Sequence, residues 1–262
     1  MLTPEIIRLA AGTLSGVFVG FSLGLVGGGG SVLAVPLLVY FVGVSDPHVA
    51  IGTSAVAVAA NALVSLANHA RAGTIKWRCA SVFALFGVAG AYGGSTLGKM
   101  MNGEKLLALF GVLMLVVGVL MFRSRSGEGY PQVRLNRENF PRLAATGVAT
   151  GALSGFFGIG GGFLIVPGLM LAADLPIINA IGSSLVSVTA FGVTTAANYA
   201  FSGLVDWSLA ATILGGGVIG GLIGAATARR LAGRRGTLAA IFAGIVVAVA
   251  LYVIWRAVGA LT

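Results

Sequence analysis

Charge is scarce in this chain: only 9% of its 262 residues are Asp, Glu, Lys or Arg. A soluble domain carries about 25%, so a water-facing surface cannot be built from this composition. Cysteine is nearly absent, and the single Cys79 can form no disulfide within the chain. With one Cys and two His (His48 and His69), the ligand spacing of a metal site is missing. The 7 prolines and the lack of a three-residue glycine period exclude collagen, and 57% hydrophobic residues exclude disorder. No Walker A lysine follows the glycine clusters, so direct use of ATP is not expected. Leu14-Ser15-Gly16 and Leu153-Ser154-Gly155 resemble nucleophile sites, but the second half of the chain offers no His as base. No enzymatic activity and no cofactor is expected.

Long uncharged runs and glycine are what the chain has in abundance. The runs cover 9–45, 47–70, 79–98, 106–122, 143–173, 175–205, 207–228 and 236–255. A bilayer core needs roughly 20 apolar residues of helix, so nearly every run is long enough to span. Continuous apolar runs exclude a barrel, whose strands are short and alternate. The first run reads as a membrane helix and not a cleaved signal peptide. The net charge of +9 lies at helix ends and in loops, as the positive-inside rule requires, and nucleic-acid binding is not expected. The bilayer itself is the expected partner, in a bacterial-type cytoplasmic membrane.

The chain is internally duplicated. Residues 24–36 (GLVGGGGSVLAVP) and 155–167 (GFFGIGGGFLIVP) agree at seven of thirteen positions, and residues 50–77 and 180–207 agree at twelve of 28. The second block pairs Ile51-Gly52 with Ile181-Gly182, Ser54 with Ser184, Asn68 with Asn198, and Trp77 with Trp207. The expected organisation is a membrane repeat over 1–122, a cytoplasmic basic linker over 123–141, and a second repeat over 142–262. Placing that linker in the cytoplasm and counting crossings makes 9–45 and 143–173 hairpins, broken at Gly27–Gly30 and Gly158–Gly162. Each half then holds five helical segments, and an odd number gives the halves opposite orientation. The expected fold is all-α and integral to the membrane: two inverted-topology repeats with Gly-broken, re-entrant or discontinuous helices. Inverted repeats are a recurring plan of secondary transporters, which bind substrate near the midplane. If the glycines only kink one long helix, the halves are parallel instead.

The two broken segments are the main candidate site. Gly27, Gly28, Gly29, Gly30 and Ser31 on one side, and Gly158, Gly160, Gly161 and Gly162 on the other, cannot continue as stable helix. Unwound backbone at membrane depth must be buried or line a wet cavity. Helices restarting at Ser31 and Gly162 would turn free N–H groups and positive dipole ends toward an anion. Thr53, Ser54, Ser183 and Ser184 supply hydroxyls suited to helix capping or to an oxyanion. Asn68 and Asn198 end matching helices and are expected to face an interior, for an interhelical bond or a ligand. Asn61, Thr189, Thr194 and Thr195 are weaker candidates of the same type. His69 reads as interfacial, and Trp77 and Trp207 read as interfacial anchors. Glycines at four-residue spacing (Gly12, Gly16, Gly20, Gly24; Gly147, Gly151, Gly155; Gly216, Gly220, Gly224) read as packing ladders. All seven acids fall in loops or at segment ends, leaving no mid-membrane carboxylate for a cation or a proton relay.

The duplicated GLVGGGGSVLAVP and GFFGIGGGFLIVP, followed by IGTS and IGSS, resemble the signature of the TauE/SafE family of sulfite exporters over essentially the whole chain. The resemblance implies a transporter for sulfite, sulfonates or other organosulfur anions, driven by an ion gradient such as protons or sodium. Gly28-Gly29-Gly30-Ser31 departs from the cleaner Gly160-Gly161-Gly162 form, so the half-sites are expected to be unequal. A passive anion channel and a non-transporting membrane assembly factor are the alternatives. Substrate identity, direction of transport and oligomeric state are not given by these motifs.

Overall fold

A computed structural model describes residues 4–26, 31–123, 135–160, 162–230 and 235–261. Among them lie ten helical segments and no strand. The first five are α1 (Pro4–Val26), α2 (Ser31–Phe41), α3 (Pro47–Arg71), α4 (Trp77–Met100) and α5 (Gly103–Arg123). The second five are α6 (Asn139–Phe157), α7 (Gly162–Ala173), α8 (Ile177–Ala200), α9 (Trp207–Arg230) and α10 (Arg235–Leu261). Six segments, within α1, α3, α4, α5, α8 and α9, are long and apolar enough to cross a bilayer. Their outward faces carry Leu85, Leu97, Ile219 and Leu222, all exposed. In water such a surface is costly, and against lipid it is the solvated state.

Glycine ladders set the packing. Along α1, an added Cβ at Gly12 would strike Leu209, at Gly16 the backbone of Ile213, at Gly20 that of Gly217, and at Gly24 that of Gly221. Both numbers rise together, so α1 and α9 run parallel in backbone contact. α4 and α6 do the same, with Gly147 on Phe83, Gly151 on Gly87 and Gly155 on Ala91. Without a hydrophobic force between helices in lipid, such close approach is what supplies dispersion energy. The other two large pairings are antiparallel. Gly52 faces Tyr199 and Leu204 while Gly192 faces Ala59, so α3 crosses α8; Gly111 faces Ile254 while Gly118 faces Val247, so α5 crosses α10.

The two ends differ in charge. Glu5, Arg8, Asp46, Lys99, Glu104, Lys105 and Asp206 share one end, where Arg8 pairs with Asp206 at 2.9 Å and ties α1 to α9. The opposite end gathers Arg71, Lys76, Arg78, Arg137, Arg142, Arg229 and Arg230, with Glu138 and Asp174. An excess of basic residues at one end is the pattern that the positive-inside rule describes.

Candidate functional site

The second broken hairpin is fully placed except for Gly161. α6 ends in a Schellman motif: Gly158 adopts φ +66°, its N–H donates to the Gly155 carbonyl at 3.2 Å, and the Ile159 N–H donates to the Ser154 carbonyl at 3.2 Å. Gly160 repeats the left-handed conformation at φ +64°, which L side chains pay about 1–2 kcal/mol to adopt. Space is as restrictive as conformation. A Cβ at Gly158 would overlap the side chain of Ile51, and one at Gly160 would lie 2.9 Å from Val58 and 3.5 Å from Val188. Val58 and Val188 stand near the middle of α3 and α8, so this turn sits halfway along the bundle, where those helices cross. α7 restarts at Gly162, buried, and keeps Pro167 inside it. The first amides of any helix lack intrahelical acceptors.

The corresponding glycines of the first half, Gly27, Gly28, Gly29 and Gly30, lie outside the described residues, as does Gly161. Ser31 is buried where α2 begins as a tight 3₁₀ turn. α2 continues past Pro36 as a wider π turn over Leu37–Phe41.

Of the hydroxyls, Ser54 comes closest to the turn. Its Oγ donates to the Ile51 carbonyl at 2.9 Å and reaches the Gly158 carbonyl at 3.5 Å. Ser184 makes the matching bond to the Ile181 carbonyl at 2.7 Å. Neither pair opens a helix, contrary to the expectation from IGTS and IGSS. α3 starts six residues earlier, at Pro47, capped by the Asp46 carboxylate accepting the His48 N–H at 2.8 Å, and α8 starts after Pro176. Thr53 and Ser183 instead fasten the loop that enters a helix of the opposite half. Thr53 Oγ1 accepts the Asp206 N–H at 2.9 Å, and Ser183 Oγ accepts the Lys76 N–H at 2.9 Å. These two bonds lie at opposite ends of the bundle, so Thr53 and Ser183 do not converge on one site.

The two asparagines also part company. Asn198 is buried, and its amide donates to Ser95 Oγ at 2.6 Å and Thr96 Oγ1 at 3.0 Å while its Oδ1 accepts from Lys99 Nζ at 2.8 Å. Lys99 also donates to the Asn198 carbonyl and to Ser202, closing the end of α8 onto α4. Asn68 is exposed in the last turn of α3, beside His69 and Arg71, and joins no interior network. The reason lies on the partner helix. Positions matching Ser95 and Thr96 in the repeat are Ala225 and Ala226, which offer nothing to bond.

Some buried polar atoms near the turn escaped sequence reasoning or were underrated by it. Ser154 Oγ, one turn before Gly158, and Ser187 Oγ, next to Val188, are buried without a hydrogen-bond partner among the described residues, and so are both polar atoms of Asn61. Ser187 matches Ala57 in the other half and Asn61 matches Phe191, so the repeat gave these positions no prominence.

Among known proteins, the family described as "Sulfite exporter TauE/SafE" matches residues 12–253. A "Probable membrane transporter protein" of Xylella fastidiosa (strain 9a5c) is 52% identical over 243 residues, covering 92% of this chain and 93% of that relative. "Probable membrane transporter protein YunE" of Bacillus subtilis (strain 168) is 26% identical over 245 residues, covering 82% and 87%. No solved structure matches the chain. With six helices long and apolar enough to cross a bilayer and the family matched over nearly the full length, this chain is a multi-pass membrane protein belonging to the TauE/SafE sulfite exporter family of membrane transporters.

Proposed function

We propose that the protein is a secondary transporter carrying a sulfur oxyanion or sulfonate by alternating access, its two halves being inverted repeats. Support for inversion comes from helix direction. The matching helices α3 and α8 are antiparallel where they touch, and so are α5 and α10. Helices related by an axis along the membrane normal would run parallel. The exchanged pairs, α1 with α9 and α6 with α4, are both parallel, as a two-fold axis in the membrane plane requires. Rocking one half against the other about that axis exposes a central site to each side in turn.

One observation carries the assignment of the site: two left-handed glycines, Gly158 and Gly160, hold a chain reversal against the midpoints of α3 and α8. The amides that open α7, among the buried Gly162, Phe163 and Ile165, would then present a dipole end undiluted by water. An anion is favoured there over a cation, since among the described residues no acid lies within the middle of a spanning helix. The matching glycines of the first half, Gly27–Gly30, would supply the second half-site. Coupling would be to protons or sodium.

Gly160→Val tests the site. It forces an L side chain into φ +64° and onto Val58. Flux of sulfite, thiosulfate or taurine into proteoliposomes should fall to the empty-vesicle level while the protein still inserts and purifies. Unchanged flux would remove Gly160 from the pathway.

A further inference from the structure

Asn61 stands near the middle of α3, one turn from Val58 on the same helix face. Its residue is 4% exposed, and neither Nδ2 nor Oδ1 has a hydrogen-bond partner among the described residues. Burying an amide without partners costs free energy that a leucine of similar size would not. The side chain lies directly on α9: a Cβ at Gly217 would overlap Nδ2 and lie 2.7 Å from Oδ1. Gly217 is also where α1 touches α9, through Gly20. The amide therefore occupies a junction of α1, α3 and α9, at the level of the Gly160 turn.

Comparison of the two halves makes the position more telling. Phe191 matches Asn61, and Gly87 matches Gly217. In the second half the Phe191 ring covers Gly87 and stacks on Phe83 at 6.3 Å. A phenyl ring fills that junction with apolar surface. In the first half a smaller, bare amide stands in its place. The centre of the molecule is thus asymmetric, closed by an aromatic plug on one side and polar on the other.

We propose that the Asn61 carboxamide is the ligand-reading contact of the central site, and that it selects an oxyanion bearing its own hydrogen-bond donor. Nδ2 donates to a ligand oxygen, and Oδ1 accepts from a ligand O–H or N–H. A hydrogen oxyanion such as hydrogensulfite, or an amino sulfonate such as taurine, offers both; sulfate offers acceptors alone. The hydroxyls of Ser154, one turn before Gly158, and of Ser187, next to Val188, have no partner among the described residues and add donors near the same level. The inference rests on the transporter assignment above and adds a specificity-determining residue to it.

Asn61→Leu and the isosteric Asn61→Asp test it, with thermal unfolding in detergent read beside flux. For the wild type, hydrogensulfite and taurine should raise the unfolding temperature and be transported in preference to sulfate. Asn61→Leu without ligand should unfold at the same temperature as wild type or a few degrees higher, because a buried unpartnered amide has been removed. Its ligand-induced shift should vanish, and its flux of donor-bearing anions should fall at least tenfold. Asn61→Asp, which replaces the donor face with acceptors, should lose the same flux. A lower unfolding temperature for Asn61→Leu together with retained ligand shift and flux would make Asn61 a packing residue and overturn the proposal. Wild-type protein moving none of the anions would instead overturn the transporter assignment, and the proposal with it.

Discussion

Gly93 and Gly94 are adjacent on α4, yet alanine should act on them in opposite directions. At Gly93 a Cβ meets nothing within 4 Å; at Gly94 it overlaps the Ala152 carbonyl oxygen and lies 2.8 Å from the carbonyl carbon and 3.0 Å from Cα. These are backbone atoms, which cannot rotate aside. The carbonyl carbon alone requires α4 and α6 to part by about 0.7 Å, and the nearer oxygen requires more, so this is a lower bound. A gap of that size forfeits roughly a quarter to a half of each affected dispersion contact, and the ladder spreads it to Gly87–Gly151 and Ala91–Gly155. Overpacking of this kind costs about 1–3 kcal/mol, while replacing a helical glycine with alanine returns about 0.8–1 kcal/mol. Gly93→Ala keeps only the gain. The propensity gain is common to both, so the two variants should differ by the overpacking cost, roughly 1–3 kcal/mol, or about 2–12 °C in thermal unfolding of the detergent-solubilised protein. Gly215→Ala and Gly216→Ala on α9 repeat the experiment, since a Cβ at Gly215 meets nothing within 4 Å and one at Gly216 overlaps the Thr13 carbonyl oxygen. Equal stability within either pair, or a more stable Gly94→Ala, would refute backbone contact as what joins these helices.

Further expectations concern the helix ends. Thr53→Val and Ser183→Ala each remove one bond to the loop entering α9 or α4, so each should cost about 1 kcal/mol in denaturation midpoint, and by near-equal amounts. Lys99→Met strips the cation from Asn198 and Ser202 and should destabilise by about 1–2 kcal/mol; chemical unfolding measures it. Burial alone would raise the Asp206 carboxyl, but hydrogen bonds from the Ser208 hydroxyl and the Leu209 N–H, the Arg8 guanidinium, and the Ser208 N–H outweigh it and hold the group below its ordinary value. A depressed carboxyl contributes stability above its unfolded-state pKa and loses it as pH falls through the folded value. Wild type should therefore lose stability in acid below about pH 4, and Asp206→Asn should lose less in a pH series of unfolding temperatures.

The packing of this fold was legible because it is written in residue type. Glycines every four residues predict close helix contact, and Gly16, Gly20, Gly151 and Gly155 all make it. The break before Gly162 was equally legible, since φ +66° and +64° at Gly158 and Gly160 are what glycine permits. Polar side chains were harder, because their fate depends on a partner helix far away in sequence. Asn68 and Asn198 share one motif, and only Asn198 finds hydroxyls and a lysine opposite. Thr53 and Ser183 were read beside an oxyanion because a hydroxyl shows no preference in sequence between a ligand and an N–H such as that of Asp206. Asn61 was underrated since its match is Phe191; its importance comes from what it fails to bond.

The central claim is a carrier whose anion binds at the Gly158–Gly160 reversal, and counterflow tests it most directly. Proteoliposomes preloaded with unlabelled sulfite or taurine are diluted into a trace of the labelled anion. An alternating-access carrier predicts a transient overshoot of internal label in wild type, abolished in Gly160→Val protein that is inserted to the same level. Label that equilibrates without overshoot, or an overshoot that survives Gly160→Val, would contradict the account.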